Sequence, residues 1–351
     1  MSLISVCIPA FNRATLLPAL LDSILNQDFL DFDIILVEDC SPECREIAEV
    51  VGRYQASHTG KIAYHENPKT LGYDGNLRRL IELATGDYVL FMGNDDLMAQ
   101  GALSAVAKAV TERCDVGVVL RSYASFFDDP AKTTQVFRYF DADRVFPPGS
   151  DTIVTFFRRV VFISGMVFKR SSCLACASNI FDGTLLYQQY LAGHLLAENT
   201  GIYLNQILAF HRLGGTPDFG SSVAEQALFV PKQQTPESSV HFMRGMLRIA
   251  HSLDESLGID VYRRILRDIG NYSYPILSIQ ADRSFKVYLS YLFKLVGFGF
   301  WRIPLFWVYA TGLLFFGRPA CDFIIMKLKQ VKGCAPRLGR VYNGERRQNN
   351  K

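Results

Sequence analysis

The first 120 residues alternate between short apolar runs and longer segments in which apolar residues recur every three or four positions. The short runs predict strands because they are rich in β-branched or aromatic residues, and the longer segments predict amphipathic helices. The predicted strands lie at residues 3–8, 34–37, 61–65, 88–92 and 116–120. The predicted helices lie at residues 16–25, 43–56, 75–85 and 100–112. This alternation predicts an α/β fold with a mostly parallel sheet that helices cover on both faces.

The pattern becomes less regular after residue 120. Residues 121–160 predict a loop-rich insertion, because turn sequences stand at 128–130 and 147–149. A strand, a helix, two short strands and two helical stretches are predicted next, at residues 160–168, 184–197, 201–204, 207–211 and 235–270. The middle of the chain therefore follows the strand–helix alternation less closely than the first third.

The charge of the chain is divided unevenly. Its 37 Lys and Arg and 34 Asp and Glu residues give a net charge of +3. Residues 1–280 carry 24 basic and 31 acidic side chains, whereas residues 281–351 carry 13 and 3. Because the basic C-terminal region is also apolar and aromatic, it predicts contact with a membrane surface, and we expect no nucleic-acid partner.

An apolar stretch near the C-terminus adds to this expectation. Residues 303–316 are uncharged and shorter than the roughly 20 residues that span a bilayer. Aromatic residues at both ends and flanking Lys and Arg residues are typical of an interfacial or shallowly inserted segment. A buried helix of a soluble domain and a single membrane span are the alternatives.

The N-terminus and the cysteines indicate a reducing compartment. The first residues lack the basic segment and cleavable apolar run of a secretory signal, so we expect the chain in the cytoplasm. The eight cysteines are then expected to be free thiols. Cys173 and Cys176 lack a second pair at zinc-site spacing, so we assign them to packing.

Polar residues follow three of the predicted strands at their carboxyl ends. These ends meet at one edge of a parallel sheet, where ligands bind. Adjacent carboxylates there favour a hard divalent cation, which takes one or two protein carboxylates and completes its shell with phosphate and water oxygens. The alternative for Asp95 or Asp96 is the N-cap of the next helix. The residues are Pro9, Phe11, Asn12 and Arg13, then Glu38 and Asp39, and then Asn94, Asp95 and Asp96.

Four segments, at residues 4–13, 23–27, 37–41 and 86–96, resemble in order and spacing the family 2 glycosyltransferases of the GT-A fold. The resemblance covers residues 3–120 closely and residues 160–212 loosely. It implies a catalytic domain that binds a nucleotide-diphosphate sugar. The Gly-Tyr-Asp-x-Asn segment at 72–76 resembles the abequosyltransferase-like branch of the family, which transfers dideoxyhexoses in O-antigen synthesis.

The resemblance implies how the nucleotide is held. Pro9, Phe11 and Asn12 match the first nucleotide-binding turn of the family, where the Phe11 ring would stack on the base. Asp39 matches the carboxylate that reads the polar edge of a pyrimidine, and Glu38 stands beside it. We therefore expect these residues to contact the nucleoside.

The resemblance also implies a metal site. The DXD metal motif of the family aligns with residues 93–95, so its first Asp is lost. Asp95 and then Asp96 are the expected ligands of Mn²⁺ or Mg²⁺. For Arg78 the alternative to phosphate contact is an ordinary solvated helix face. The remaining predicted donor contacts are Arg13, Asp74, Asn76, Arg78 and Asn94.

Candidates for the catalytic base follow from the family's use of an Asp at the start of a helix on the acceptor side. Asp182 precedes the predicted helix at 184–197 and is the preferred base, with Glu198 second. A simple helix cap is the alternative for Asp182. Residues 211–212 match a position near the diphosphate, and the glycines at 214–215 could hinge a lid over the donor. An ordinary turn is the alternative for the glycines.

The sequence therefore predicts a GT-A catalytic domain over residues 1–215, with nucleotide-sugar binding in 1–120 and acceptor recognition in 121–215. A helical extension follows over 216–282, and a membrane-associating tail over 283–351. We expect transfer of a hexose or dideoxyhexose to a lipid-linked saccharide at the cytoplasmic face of the cell membrane. The alternatives are a catalytically weak membrane-binding module of the same fold and another nucleotide-dependent transferase.

Overall fold

The computed structural model describes residues 2–215 and 217–331, and it describes side chains up to residue 328. The strands are β1 (Ile4–Ala10), β2 (Phe32–Glu38), β3 (Ile62–Glu66), β4 (Tyr88–Phe91), β5 (Leu97–Met98), β6 (Val116–Phe126), β7 (Gln135–Phe137), β8 (Arg144–Phe146), β9 (Met166–Lys169) and β10 (Thr200–Arg212). The helices are α1 (Leu17–Leu25), α2 (Cys44–Ser57), α3 (Gly72–Leu83), α4 (Ala102–Thr111), α5 (Ser150–Phe157), α6 (Arg170–Ala175), α7 (Tyr187–Glu198), α8 (Pro236–Leu257), α9 (Tyr262–Asn271), α10 (Tyr274–Ser278), α11 (Phe285–Gly297) and α12 (Pro304–Val331). The α/β alternation predicted for the first 120 residues is confirmed.

The strands in the described part of the chain form a single sheet. Its order is β3-β2-β1-β4-β9-β6-β10-β5, and β7 and β8 pair with β6 and β10. β1, β2, β3 and β4 pair in parallel, as do β6 and β10. β9 runs antiparallel to both β4 and β6, so these two groups of strands point the same way. The expectation of a mostly parallel sheet is confirmed.

Helices cover both faces of the sheet because both faces of its central strands are apolar. Val6 and Ile8 of β1 lie in one buried cluster with α1, α2 and α4, whereas Cys7 lies in the other. The second cluster contains α3, α5, α7 and the C-terminal helices. Successive strand residues point to opposite faces, so a continuous apolar strand needs a layer on each side.

The prediction of a loop-rich insertion at 121–160 is wrong at both ends of this range. β6 continues without a break to Phe126, and residues 150–157 form α5. Arg121 and the serines at 122 and 125 hide the strand from sequence reasoning, because polar residues rarely occupy a buried strand. In the structure Arg121 is fully buried and donates hydrogen bonds to the backbone oxygens of Phe162 and Ser164.

Two other strand boundaries differ from the prediction. The strand predicted at 160–168 is confined to β9, which begins at Met166. The strands predicted at 201–204 and 207–211 are one strand, β10, whose pairing with β6 shifts register between Leu204 and Ile207. A β-bulge of this kind interrupts the alternation that sequence reasoning follows without ending the strand.

The C-terminal helices pack onto the helical layer and do not form a separate body. Tyr291 of α11 and Phe306 of α12 are buried in the same cluster as α8 and α9. α12 contains a break, because Gly317 has a left-handed backbone with φ 72° and Pro319 follows it. The last residues of the predicted tail, 332–351, lie outside the described residues, as does Cys334.

Candidate functional site

The carboxyl ends of β1, β2, β4 and β10 lie along one edge of the sheet, because these strands point the same way. Side chains from the segments that follow these strands, and from the end of β10, gather there. We call this group the rim, and it consists of Arg13, Asp39, Asp95, Asp96 and His211. The structure therefore brings together the residues predicted after three strands with one at the end of β10.

The turn after β1 is held in a conformation that side chains rarely adopt. Asn12 and Arg13 both have a left-handed backbone, with φ of 54° and 65°, which costs roughly 1–3 kcal/mol at each residue. Asn94 holds the turn, because its Nδ2 donates to the backbone oxygens of Asn12 at 2.9 Å and Phe11 at 3.4 Å. A carboxylate cannot donate such bonds, so an acid in place of Asn94 could not hold the turn in this way.

Arg13 connects the turn to the end of β4. Its guanidinium lies 2.6 Å from Asp95 Oδ2 and 3.7 Å from Asp218 Oδ2. The Asp95 and Asp218 side chains are 17% and 16% exposed. The ion pair places a positive and a negative group at the same point of the rim, partly open to solvent.

Asp96 is enclosed by protein donors. Ser164 Oγ donates to its Oδ2 at 2.5 Å, and the backbone N of Arg212 donates to its Oδ1 at 3.0 Å. His211 Nδ1 lies 3.1 Å from the same Oδ1. Asp96 therefore orients the His211 ring, and its carboxylate is only 4% exposed.

The neighbouring charges shift the pKa values of the rim. Burial raises the pKa of Asp95, the charge of Asp96 raises it further, and Arg13 and His211 partly offset both effects. Burial lowers the pKa of His211, but its hydrogen bond to Asp96 and the charges of both aspartates outweigh burial and leave the pKa raised. The imidazole is therefore biased toward its positively charged form beside the carboxylates.

The described residues offer a metal no complete protein site. No group of three or more His, Cys, Asp or Glu residues in the described chain could hold an ion. Asp96 is engaged by protein donors, and Asn94 holds the turn. Asp95 fits a cation that takes its remaining ligands from phosphate oxygens and water, as Mg²⁺ commonly does. The assignment of Asp95 and Asp96 as metal ligands stays a prediction, and the contacts of the two side chains favour Asp95.

Asp39 binds the beginning of α3. Its carboxylate accepts hydrogen bonds from the backbone N of Leu71 and of Gly72 and from Asn67 Nδ2, each at 2.8 Å. Burial is the main cause that raises its pKa to about 6. Three of the roughly four lone-pair sites of the carboxylate are thus occupied. Asp39 fixes the loop that leads from β3 to the start of α3.

Glu38 and Asn76 lie at the predicted place but are enclosed by backbone. Glu38 is 1% exposed and accepts hydrogen bonds from the backbone N of Cys40 and Ser41. Asn76 is 3% exposed, and its Nδ2 donates to the backbone oxygen of Val37 at 3.1 Å. Both side chains stabilise the backbone around the end of β2, and their contact with a nucleoside stays a prediction.

Asp74 connects α3 to α7. Its carboxylate accepts hydrogen bonds from the backbone N of Leu185 and of Tyr187, both at 2.9 Å. Burial is the main cause that raises its pKa to about 7. The side chain caps the first turn of α7, and its contact with the donor stays a prediction.

Asp182 is held below the rim. Its two oxygens each lie 2.7 Å from a nitrogen of Arg78. α3 begins at Gly72 beside Asp39 and runs toward the opposite edge of the sheet, so Arg78 lies about 9 Å from the rim end of the helix. Glu198 is exposed at the end of α7, directly before β10 begins, and thus lies at the opposite edge. The carboxylate of Asp182 is engaged by Arg78, and the assignment of Asp182 or Glu198 as the base stays a prediction.

A covering segment, residues 217–233, lies over the start of α3. Glu225 in this segment is 3% exposed and accepts hydrogen bonds from the backbone N of Tyr73 and of Gly220. The Phe219 ring packs edge-on against Tyr73, with centroids 5.7 Å apart. Together with the contact between Arg13 and Asp218, these bonds fasten the segment to the rim at two places.

The glycines before the covering segment allow its backbone to approach the rim. Gly214 has a left-handed backbone with φ 92°. A Cβ atom at Gly215 would lie 3.7 Å from Asp95 Oδ2. The prediction that these glycines hinge a lid stays a prediction, and the structure places them beside the carboxylate that such a lid would cover.

Sequence reasoning missed Asn67, Ser164 and Glu225. Their partners are the carboxylate of Asp39, the carboxylate of Asp96 and the backbone N of Tyr73. No periodicity or spacing signals these contacts, because the partners are far apart along the chain. Glu38 could have been identified as a turn cap, since its partners lie two and three residues further on.

The comparisons with known sequences agree on one family. The model of glycosyl transferase family 2 matches residues 5–161. The chain is 34% identical over 116 residues to abequosyltransferase RfbV of Salmonella typhimurium, which is 32% of this chain and 34% of that protein. It is 36% identical over 110 residues to the Campylobacter jejuni GalNAc(5)-diNAcBac-PP-undecaprenol beta-1,3-glucosyltransferase, 31% of this chain and 35% of that protein. The matches span about a third of the length of these relatives.

Solved structures share the fold at low sequence identity. Staphylococcus aureus TarS 1–349 in complex with UDP-GlcNAc superimposes with a TM-score of 0.54 at 15% identity, over 81% of this chain and 74% of that one. The mannosyltransferase PcManGT from Pyrobaculum calidifontis, in complex with GDP-Man and Mn²⁺, gives 0.52 at 14% identity, over 92% and 87%. The predicted GT-A fold is confirmed.

Proposed function

Because residues 5–161 form a family 2 glycosyltransferase domain, we propose that this protein transfers a sugar from a nucleotide-diphosphate sugar to an acceptor hydroxyl. The observation that carries the proposal is the ion pair of Arg13 and Asp95 beside His211, at the carboxyl ends of the strands. Ligands of open α/β sheets bind at this edge. Both side chains of the ion pair are partly exposed. Arg13 can bind a diphosphate, and Asp95 can bind the cation that accompanies it.

The chemistry of the proposed transfer requires stabilisation of a nucleoside diphosphate as it leaves. The guanidinium of Arg13 and the imidazole of His211, whose pKa is raised by Asp96, supply positive charge next to Asp95. The side chain of Arg212 donates to the backbone oxygen of Asp95 at 3.0 Å and adds a third cationic group. A divalent cation held by Asp95 would supply further charge for the phosphates.

For the nucleoside we propose that the turn of Pro9, Phe11 and Asn12 holds the base. Phe11 is partly exposed beside the rim and can stack on a base. Asp39 has one lone-pair site left by its three protein donors, so a single hydrogen bond to the base is compatible with its geometry. Its main contribution in this proposal is to fix the turn against α3.

We also propose a lipid-linked saccharide as the acceptor, used at the cytoplasmic face of the cell membrane in surface polysaccharide synthesis. The name of the Campylobacter relative includes PP-undecaprenol, and a further relative, of Erwinia amylovora, is an amylovoran biosynthesis glycosyltransferase. Among the described residues one helix, Pro304–Leu328, is apolar and long enough to cross a membrane by length and composition. A membrane-bound enzyme would meet such an acceptor directly.

Thermal unfolding of the full chain with UDP, GDP, CDP and dTDP, with and without Mn²⁺, tests the donor site. A bound nucleotide raises the melting temperature in proportion to the logarithm of its concentration over Kd. We expect one diphosphate to stabilise the chain, its monophosphate to stabilise it less, and Mn²⁺ to increase the difference. No stabilisation by any of them would exclude the proposed donor site.

Transfer of radiolabelled sugar to a lipid extract then separates an enzyme from a binding module. A catalytically weak module of the same fold would bind the nucleotide but would neither transfer nor hydrolyse the sugar. Another nucleotide-dependent transferase would consume the nucleotide without moving the sugar to the lipid fraction.

A further inference from the structure

α12 has two apolar faces, and only one of them is covered by the described chain. Phe306, Ala310 and Leu313 are spaced by four and three residues and are buried against the helical layer. The other face carries exposed apolar side chains at the same helical spacing, which places them on one stripe of the helix. We call this the exposed aromatic face; it consists of Leu305, Val308, Phe315 and Phe316, with Trp301 directly before the helix.

The size of this exposed face distinguishes it from the rest of the surface. Phe315, Phe316 and Val308 are 76%, 70% and 61% exposed. Scattered exposed apolar residues are normal, but a contiguous aromatic patch on a soluble surface indicates a partner. The partner must offer an apolar layer, because the stripe is apolar along most of its length.

The break in α12 limits how the helix can insert into an apolar layer. Gly317 is non-helical, so the helix is divided into residues 304–316 and 318–331. Each part is about 20 Å long at 1.5 Å per residue, which is shorter than the roughly 30 Å hydrocarbon core of a bilayer. Neither part can span the bilayer without the other.

Charged contacts at the break hold it against the folded body. Arg318 lies 3.4 Å from Asp282 and 3.6 Å from Asp322. Tyr274 Oη donates to Asp322 Oδ1 at 2.6 Å. A straight span through the bilayer would have to carry Arg318 and Asp322 into the hydrocarbon layer and break their bonds to α10 and the residues after it, at a cost of several kcal/mol.

The charge around the face indicates the kind of membrane. Arg302 is exposed at the start of the face, and Lys327 is exposed further along α12, beyond its break. Residues 281–351 carry 13 basic side chains against 3 acidic ones. A basic and aromatic surface is attracted to anionic lipid headgroups, and the attraction weakens with salt. Zwitterionic lipids alone lack this attraction.

We propose that the exposed aromatic face lies in the plane of an anionic membrane, inserted into one leaflet, and that α12 does not cross the bilayer. This inference rests on the proposed membrane location of the transferase and deepens it. The catalytic rim then stays on the same side of the membrane as α12. Its test needs no sugar transfer, so it can fail while the transferase proposal stands, and the reverse also holds.

The two tryptophans of the chain, Trp301 and Trp307, report on this face without any added probe, since the sequence has no others. Both are partly exposed, 53% and 42%. On mixing the full chain with vesicles of phosphatidylglycerol and phosphatidylcholine, we expect their emission to shift to the blue. Lipids brominated near the headgroup should quench it more than lipids brominated near the chain end. An unshifted emission, or stronger quenching by the deep label, would overturn the proposal.

Co-sedimentation with the same vesicles measures the affinity. We expect Phe315→Ser/Phe316→Ser to lower the partition coefficient about tenfold or more. The control Leu30→Ser/Ile180→Ser removes two residues that are 80% and 61% exposed elsewhere and should leave it unchanged. Melting temperatures establish that both variants fold. Equal binding by both double variants, or equal binding to phosphatidylcholine alone, would contradict the proposed face or its lipid preference.

Alkaline carbonate extraction of membranes from cells that express the full chain distinguishes the in-plane helix from a span. A helix in one leaflet should be released into the supernatant, whereas a spanning helix stays in the membrane pellet. Retention in the pellet would overturn the in-plane arrangement.

Discussion

Charged side chains usually lie at the surface of a protein and aromatic side chains in its core. The rim buries carboxylates, and the exposed aromatic face exposes aromatic rings. At the rim, Asp39 and Asp96 are 3% exposed, and at the face Phe315 is 76% exposed. A buried charge is costly unless it is hydrogen-bonded, and each buried carboxylate at the rim has donors from the protein. The exposed aromatic residues have no comparable partner within the described residues.

The comparison separates polar groups that the protein itself satisfies from apolar groups that the described residues leave uncovered. The buried carboxylates stabilise the rim from within, so most of them act as supports. Asp95 and Arg13 stand out because their side chains are partly exposed and their charges face each other at the surface. The exposed aromatic face is completed only by an apolar layer from outside.

The largest test of this comparison is Asp95→Asn. If Asp95 is the rim carboxylate that acts on the substrate, the variant loses the charge that pairs with Arg13 and can hold a cation. We expect kcat/KM for sugar transfer to fall about 100-fold or more, with the melting temperature changed little. The matched control is Asp87→Asn, an exposed acid just before the same strand at the opposite edge of the sheet. An equal fall of kcat/KM in both variants would show that Asp95 has no particular role in the transfer.

A second test breaks the hydrogen bonds by which Asn94 holds the turn after β1. Asn94 donates to two backbone oxygens of the turn, so Asn94→Asp places a carboxylate against carbonyl oxygens. We expect KM for the donor to rise about tenfold and the free energy of unfolding to fall by about 1–3 kcal/mol. Asn94→Ala, which removes the bonds without adding charge, should lose less. Higher activity in Asn94→Asp would contradict the role of Asn94 in holding the turn.

A third test asks whether Asp182 is a support or a base. Since Arg78 engages both oxygens of Asp182, we expect Asp182→Asn to keep kcat within about threefold while the melting temperature falls by a few degrees. Arg78→Gln should show the same pattern, because both variants break one ion pair. A loss of kcat in Asp182→Asn alone, at an unchanged melting temperature, would restore Asp182 as the catalytic base.

The smallest effect concerns the buried carboxylate of Asp74. Burial raises its pKa to about 7 from an ordinary 3.8. Its protonation therefore stabilises the fold fully below pH 3.8, and this contribution is lost as the pH rises through about 7. We expect the melting temperature of Asp74→Asn, relative to the original chain, to rise between these pH values. The exposed Glu82→Gln on the same helix should give no such trend. A constant difference for Asp74→Asn would mean that its pKa is not raised.

The sequence predicted the first third of the chain well because its strands are apolar on both faces and its helices keep a regular period. The same reasoning failed for β6, where Arg121 is buried in a strand and bonded to backbone oxygens. Sequence reasoning assigns a charged residue to the surface unless the groups that accept its hydrogen bonds are known. Those partners, at 162 and 164, are more than 40 residues away.

For the site, sequence order located the rim but did not separate the residues that act from those that support. Asp95 and Asp96 are adjacent in the sequence, yet one is paired with Arg13 and the other is enclosed by Ser164, His211 and Arg212. The donors of Asp96 come from two other parts of the chain. Residue type and spacing carry no information about such distant neighbours.

The sequence by itself determined that the strands end in polar residues at one edge of a parallel sheet and that the C-terminal region is basic and aromatic. These features follow from local patterns, since strand direction and composition need no distant contact. Only the tertiary structure decided which carboxylates are satisfied internally and that α12 is broken beside a buried face. Burial and hydrogen bonding depend on which segments meet in space, and that is set by the packing of the whole chain.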